Sequence, residues 1–147
     1  MSLLNKTFKK FIKDKEIDED ESVEKLIYGF EALKLGNNGK SKVYIFFLSH
    51  SDKRNLEFVS KGGKTLQTID ITKISQVDFG LGRGNFATLS PKNLKKYNED
   101  LCISLFANSQ SIDLIFSTNQ DLINFCYGIS KIWQDEIDEE ISQYNYL

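Results

Sequence analysis

The chain has 147 residues, of which 40% are hydrophobic and 27% are charged, and its net charge is −2. This length suits one domain, and the hydrophobic content excludes a wholly disordered chain. No apolar run approaches the ~18 residues that a membrane-spanning helix needs. Because the first residues lack the layout of a secretory signal, we expect a cytoplasmic protein whose Cys102 and Cys126 are reduced and buried.

The small net charge conceals a strong segregation along the chain. Residues 1–15 carry +4, residues 16–24 carry −6 and residues 135–140 carry −5, which leaves +5 on residues 25–134. A basic body favours an anionic partner, such as lipid headgroups, nucleic acid or an acidic protein surface. A surface that is merely soluble is the alternative interpretation.

Residues 1–15 predict a short, basic amphipathic helix. Its apolar face carries Leu4, Phe8, Phe11 and Ile12, and its opposite face carries lysines that include Lys9 and Lys10. Such a helix can lie in a membrane interface, which makes Phe8, Phe11, Ile12, Lys9 and Lys10 candidate membrane contacts. It can equally pack on its own domain or on a partner helix. The acidic residues 16–24 predict a linker or the start of a solvated helix.

Strand signals follow from residue 28 onwards, as alternating or β-branched and aromatic runs separated by polar and glycine-rich turns. The predicted strands are residues 28–35, 43–48, 55–60, 64–70, 72–79, 101–106 and 112–116. Residues 80–100 are irregular, apart from a short helix predicted from Ser90 to Tyr97 with Ser90 as its cap. The pattern therefore predicts an antiparallel sheet.

An amphipathic helix from Asp121 to Trp133 closes this series, and Thr118 is its predicted cap. Apolar residues spaced three or four apart mark one face of the helix, as expected for packing on a core. Gly128 lies at the centre of that face, where a missing side chain would let the sheet approach closely. Two short strands closed by one helix predict a sheet whose open end is covered by that helix.

The sequence offers no catalytic or metal-binding constellation. His50 is the only histidine, and Cys102 and Cys126 are predicted to be buried far from each other in sequence, so neither a Cys-His pair nor a zinc site is indicated. The run Gly80-x-Gly82-x-Gly84 lacks the spacing of a phosphate-binding loop. Nucleic-acid motifs are also missing. We therefore expect a protein that is not an enzyme, has no cofactor and does not bind nucleic acid.

Basic residues concentrate in the turns between the predicted strands. They are Lys34, Lys40 and Lys42 at the first hairpin, Lys53 and Arg54 at the second, and Lys61 and Lys64 at the third. Alternate turns of an antiparallel meander share one end of the sheet, so the first and third groups would meet at one rim. Such a rim suits a multiply charged headgroup, to which each lysine near the surface contributes ~1 kcal/mol. Turn lysines that are merely solvated are the alternative.

Residues 22–134 resemble a pleckstrin homology (PH) domain, in particular the phospholipase C delta type. The resemblance rests on the run Ile74-Ser-Gln-Val-Asp-Phe-Gly80, the strands Leu101–Phe106 and Ile112–Ile115, and the helix around Gly128. It implies a mainly β fold: a seven-stranded bent antiparallel sheet, or partly open barrel, capped by a C-terminal α-helix. Here an additional N-terminal helix and acidic linker (1–21) and an acidic C-terminal extension (135–147) would flank this domain.

The resemblance also implies a phosphoinositide headgroup site at the first hairpin and the strands beside it. Lys34, Lys40, Lys42 and Lys61 stand in or next to that site, and together with Tyr44 and Lys64 they are the candidate headgroup-binding residues. The chain departs from the family pattern at Gly36, where the family has a second basic residue, and at Tyr44, where the family has an arginine. Since arginine binds phosphate bidentately and lysine acts as a point charge, these changes predict lower selectivity among headgroups. Phe125 stands where the family has a tryptophan.

Together these observations predict a non-catalytic module that binds anionic phospholipid, either phosphatidic acid or a phosphoinositide, at the surface of a membrane. The expected location is cytoplasmic and peripheral to the membrane. Two alternatives remain open at this point. The fold could serve as a protein-interaction or adaptor domain, or it could be the regulatory N-terminal domain of a phospholipase C-like enzyme.

Overall fold

The computed structural model describes residues 3–52 and 54–144, and one antiparallel sheet of seven strands forms its body. The strands are β1 (Phe30–Leu35), β2 (Ser41–Leu48), β3 (Asn55–Ser60), β4 (Thr65–Asp70), β5 (Ile74–Phe79), β6 (Cys102–Ala107) and β7 (Gln110–Phe116). All seven predicted strands are confirmed, and their ends lie within two residues of the predicted ends. Their spatial order is β4-β3-β2-β1-β7-β6-β5. With the C-terminal helix described below, this is the PH-like fold that the sequence predicts.

Four α-helices accompany the sheet in the described part of the chain. They are α1 (Leu3–Ile12), α2 (Glu19–Tyr28), α3 (Pro91–Leu94) and α4 (Asn119–Tyr144). The predicted caps are confirmed at α3 and α4, since the side chain of Ser90 accepts from the Asn93 amide and that of Thr118 accepts from the Asp121 amide. Helix α4 continues well beyond its predicted end at Trp133. Neither glycine nor proline follows Ile129 up to Tyr144, and the glutamates of this stretch favour helix.

The acidic stretch forms the start of helix α2. Of the two structures predicted for it, a linker or the start of a helix, the second is observed. Asp18 caps the helix by accepting from the Glu21 amide at 3.0 Å, and three acidic residues in the first turn favour a helix N-terminus. The helix ends at Gly29, whose φ of 129° is accessible mainly to glycine. This break moves the start of β1 from the predicted Tyr28 to Phe30. The domain boundary predicted between residues 21 and 22 therefore divides one helix.

A cluster of phenylalanine rings fills the inner, concave face of the sheet. Phe46 stacks on Phe30 and Phe58 with centroids 5.6 and 5.3 Å apart, and Phe116 and Phe125 meet it edge-on. All five rings are buried. Because Phe125 comes from α4 and the others from four strands, this cluster fastens the helix to the sheet.

Helix α4 lies between α1 and α2, and the three helices together cover one end of the sheet. A β-carbon on Gly128 would collide with the side chain of Leu26, which is 1% exposed. The missing side chain of Gly128 therefore admits α2, whereas the sequence interpretation assigned this close approach to the sheet. Helix α1 lies on the other side of α4 and reaches β5.

The apolar face of α1 packs against its own domain. This is one of the alternatives predicted for the helix, beside a membrane interface and a partner helix. Phe8 is 1% exposed, and the ring of Phe11 stacks on that of Phe79 with centroids 4.0 Å apart. Ile12 also packs against the main core. In this arrangement Phe8 cannot touch a lipid, and Phe11 and Ile12 are half-buried. The membrane contacts predicted for these three residues would require α1 to leave the domain.

The segment between β5 and β6 forms a second, smaller core on the outer face of the sheet. We call residues 80–101 the β5–β6 insertion. Its buried Phe86 packs with Leu35, Cys102 and Ile115, and partly buried leucines surround them. Asn85 holds the insertion to β1 by donating its side-chain amide to the Leu35 carbonyl at 3.1 Å. The outer face of β1 is thus covered at its Leu35 end, where a solvated surface would otherwise be expected.

Candidate functional site

Two tight turns form one end of the sheet. In the turn between β1 and β2, the Gly36 amide donates to the Lys40 carbonyl at 2.9 Å, and in the turn between β3 and β4 the Ser60 amide donates to the Lys64 carbonyl at 3.0 Å. Tyr44 of β2 lies directly opposite Ser60 in the strand register. The two turns therefore lie at the same end, as the sequence predicts.

Lys34 and Lys42 face each other across the β1–β2 pair at this end. They share the inner face with Tyr44, because residues two apart in a strand point to the same side. The Lys34 ammonium lies 5.5 Å from the centre of the Tyr44 ring, a distance at which a cation is attracted to an aromatic face. Tyr44 is itself half-buried against the core. The ring of Tyr44 thus packs beneath the ammonium group of Lys34.

The lysines at this end are open to solvent. Together they form what we call the basic rim: Lys34, Lys40, Lys42, Lys61 and Lys64. All except the half-buried Lys34 are exposed. Among the side chains that the structure describes, no salt bridge involves any of the five. Their positive charges are therefore available to an external anion.

The β5–β6 insertion brings more lysines beside the rim, and sequence reasoning did not assign them to the site. Lys92, Lys95 and Lys96 are exposed on α3 and the turn after it. The hydroxyl group of Tyr97 donates to Ser41 Oγ at 3.3 Å, which places this turn at the first residue of β2. The signal was present in the sequence as lysines at i, i+3 and i+4. Their proximity to the first hairpin depends on how the insertion folds back.

The second group of basic turn residues lies at the opposite end of the sheet. Arg54 precedes β3 and is held by its own domain, since its guanidinium donates to Thr72 Oγ1 at 2.9 Å and lies 3.6 Å from a carboxylate oxygen of Asp70. Lys53 lies outside the described residues. Arg54 therefore serves the fold and takes no part in the rim.

Lys9 and Lys10 are exposed on α1, but the helix that carries them is not part of the basic rim. Helix α1 packs on α4 and on β5, whereas the rim belongs to the turns that flank β2. The structure therefore joins Lys34, Lys40, Lys42, Tyr44, Lys61 and Lys64 at one end and keeps the α1 lysines apart from them.

The two cysteines and the histidine lie in different surroundings. Burial raises the pKa of the Cys102 thiol to about 12 and also raises that of the Cys126 thiol, while His50 lies exposed in a turn. Among the described histidine, cysteine and carboxylate side chains, no group could hold a metal ion. The last glycine of the 80–84 run is pressed against the buried carboxylate of Asp113, which makes this loop unsuitable for a phosphate.

The chain shares its fold with two solved structures. Inner membrane complex sub-compartment protein 1 of Toxoplasma gondii matches with a TM-score of 0.56 and 17% identity, over 77% of this chain and 88% of that one. Sub-compartment protein 3 of the same complex and organism matches with a TM-score of 0.57 and 12% identity, over 82% and 88%. At these identities the likeness concerns the fold alone.

The PH domain of TgAPH also matches, with a TM-score of 0.49 and 11% identity, over 88% of this chain and 93% of that one. The phospholipase C delta type finds no support in these matches. No family model and no curated protein sequence matches the chain.

None of the described helices is long and apolar enough to cross a membrane.

Proposed function

We propose that this protein binds the anionic surface of a membrane, and that the basic rim is the face that it turns to the lipid. The observation that carries the proposal is the convergence of five lysines from two hairpins on one end of the sheet, none of which has an ion-pair partner among the described side chains. Because these lysines carry like charges and lack ion-pair partners, they repel one another. An external polyanion would relieve that repulsion.

The insertion lysines extend this face on the outer side of the first hairpin. Lys92, Lys95 and Lys96 add three exposed positive charges beside Ser41. A single headgroup would not span both sides of the hairpin, whereas a membrane surface offers many anions at once. The rim and the insertion together therefore favour a charged lipid surface over one tightly held headgroup.

The chemistry of the rim supports low selectivity among anionic lipids. All the charges of the site are lysine ammonium groups on flexible stems, and Tyr44 occupies the position at which a bidentate arginine would orient a phosphate. Phosphatidic acid and phosphoinositides would both be bound, with a preference set by charge. Two structural neighbours are named as proteins of an inner membrane complex, which is consistent with this role.

Vesicle flotation with matched variants tests the proposal. The protein is mixed with neutral vesicles and with vesicles containing phosphatidic acid, phosphatidylserine or a phosphoinositide. Lys40→Ala with Lys42→Ala removes two rim charges, and we expect the partition coefficient on anionic vesicles to fall about thirtyfold, since each lysine contributes ~1 kcal/mol. Binding to neutral vesicles should be negligible, and salt should weaken binding to anionic ones.

The matched control removes the same charge elsewhere. Lys73 follows β4 at the opposite end of the sheet, and Lys131 is exposed on α4. Lys73→Ala with Lys131→Ala should therefore reduce binding several times less than the rim variant. Equal losses from both variants, or no binding to any anionic vesicle at low salt, would contradict the proposal.

A further inference from the structure

Helix α2 exposes apolar side chains that its own domain leaves uncovered. Among the described side chains, the large hydrophobic ones that are exposed all lie in this helix: Val23 is 41% exposed, Ile27 is 42% exposed and Tyr28 is 78% exposed. Isolated exposed apolar residues are normal on a protein surface, but a contiguous group indicates an interaction site. Ser22 and Leu26, on the opposite side of the helix, are buried against α4.

Two carboxylates share this exposed face. Asp20, Val23, Glu24, Ile27 and Tyr28 follow the spacing i, i+3, i+4, i+7 and i+8, which places them on one side of a helix. We call these five residues the α2 surface. Both acidic residues are exposed, and no ion pair of either is present in the described part of the chain. Apolar and acidic groups thus alternate on a face without internal partners.

A cavity beside the last turn of α2 has the same mixed character. It measures about 570 Å³ and lies over β1, where Leu33 and Val43 supply apolar walls and Glu31 supplies a carboxylate. Lys25 also borders it, but its charge is engaged by Asp121 at 2.5 Å. The cavity could receive one side chain of a segment that lies along the α2 surface.

We propose that the α2 surface docks a basic amphipathic helix of a partner protein. Apolar residues of the partner would cover Val23, Ile27 and Tyr28, while its lysines or arginines would meet Asp20 and Glu24. Tyrosine is among the residues that contribute most to protein interfaces, which makes Tyr28 the expected centre of the contact.

Charge argues against two other occupants. An anionic membrane would be repelled by the carboxylates, since residues 16–24 carry six acidic groups and no basic one. A second copy bound symmetrically through the same face would place these acidic residues against their own equivalents. A basic partner is the occupant that satisfies both the apolar and the acidic groups.

The position of α2 would leave the basic rim free. Gly29 ends α2 and β1 begins at Phe30, whereas the rim turn follows Leu35. Along β1, Gly29 lies about 16 Å from Lys34, the lysine of the rim that is nearest to it in sequence. One end of the domain could therefore bind a membrane while the other end binds a protein.

Fluorescence anisotropy with a defined probe tests this inference. The probe is a labelled helical peptide of leucine and lysine of about 18 residues, with leucines at helical spacing, and its control has glutamate in place of every lysine. We expect saturable binding of the lysine peptide and none of the glutamate peptide. Ile27→Ser should weaken binding about tenfold because the apolar contact is lost.

A pair of charge reversals controls for the overall charge of the protein. Glu24→Lys should weaken binding about tenfold, whereas Glu99→Lys, at an exposed acid outside α2, should change it little. Equal effects of the two reversals, or no effect of Ile27→Ser, would overturn the proposal. Ultracentrifugation that showed self-association abolished by Ile27→Ser would also overturn it, in favour of a second copy.

Vesicle flotation of the Ile27→Ser variant separates this inference from the proposed lipid binding. Because Ile27 lies at the end of β1 opposite to the rim, the variant should float with anionic vesicles as the unaltered protein does. If flotation fails for both proteins while the lysine peptide still binds, the lipid proposal alone is wrong. If flotation succeeds and the peptide does not bind, the docking proposal alone is wrong.

Discussion

The helical end of the sheet and the basic rim hold lysine in opposite ways. At the helical end the Lys25 ammonium donates to Asp121 at 2.5 Å and lies 3.3 Å from Glu21, and its hydrogen bond to Asp121 is the main cause that raises the pKa of Lys25. At the rim, Lys40 and Lys61 are exposed and have no ion pair in the described part of the chain. The same residue type is therefore structural at one end and available for binding at the other.

The two ends differ in whether the charge of their lysines is neutralised by ion pairs within the domain. Lys25 is the one basic residue of α2, and it is paired with both Asp121 and Glu21. The lysines of the rim form no ion pair with the acidic side chains that the structure describes. Internal pairing thus makes Lys25 a source of stability at the first end, whereas the lysines of the second end remain open to solvent.

Replacing Gly128 by valine should give the largest effect that is confined to the helical end. A β-carbon there collides with Leu26, so α2 must move away from α4. We expect a loss of about 2 kcal/mol in the free energy of unfolding, measured by urea denaturation. The matched control is Gly82→Ala, because a β-carbon on Gly82 meets nothing within 4 Å, and its effect should stay within about 0.5 kcal/mol.

Helix α2 should lose its contacts in the Gly128→Val variant while the rim keeps its geometry. Binding to anionic vesicles should therefore persist below the denaturation range. A stability loss no greater than that of Gly82→Ala would show that α2 does not depend on close contact with α4.

Replacing one lysine at each end should produce smaller effects that differ in kind. Lys25→Met should cost about 1 kcal/mol of stability at neutral pH, since a partly exposed ion pair is lost and Asp121 is left unpaired. Lys40→Met should leave stability unchanged and weaken vesicle binding instead. Chemical denaturation and flotation of both variants measure the two effects, and similar stability losses for both lysines would contradict the contrast.

The pH dependence of the Lys25 effect has a definite sign. The pKa of this lysine is raised in the folded state, so its stabilising contribution is complete below the pKa of an unfolded lysine, about 10.4. It is lost as the pH rises through the higher folded value. The stability difference between Lys25→Met and the unaltered protein should therefore persist up to about pH 10 and shrink above it.

The smallest expected effect concerns the two thiols, which lie in the two separate cores. Burial raises the pKa of Cys102 to about 12 and that of Cys126 well above its usual range. Both thiols should react with a disulfide reagent at pH 8 only as fast as the protein opens, and rapidly in denaturant. Above the usual thiol pKa of about 8.5, unfolded chains lose these protons first, so stability should decline as the pH rises. Rapid labelling of Cys102 in the native protein would show that the insertion opens easily.

Much of the fold could be predicted from the sequence because strand periodicity and turn residues are local signals. Asn55–Ser60 matches the predicted strand at both ends, and the caps Ser90 and Thr118 function as predicted. Helix α2 was harder to assign, since the sequence Tyr28-Gly-Phe30 reads as the start of a strand unless Gly29 is recognised as a helix stop.

The candidate site could be predicted only in part. Lys34, Lys40 and Lys42 lie on one hairpin, so their proximity follows from local pairing. The insertion lysines join them through a tertiary contact, in which Tyr97 reaches Ser41 across 56 positions of sequence. Contacts of this kind leave no periodic signal. The partner of Gly128 likewise could not be read from α4 alone.

Hydrogen–deuterium exchange of the protein on anionic vesicles tests most directly which end faces the membrane. If the basic rim is the membrane face, amides of residues 34–42, 61–64 and 90–97 should exchange more slowly on vesicles than in solution, while those of α2 should be unchanged. Protection of α2 with no change at the rim turns would contradict this orientation. So would vesicle binding that protects neither end.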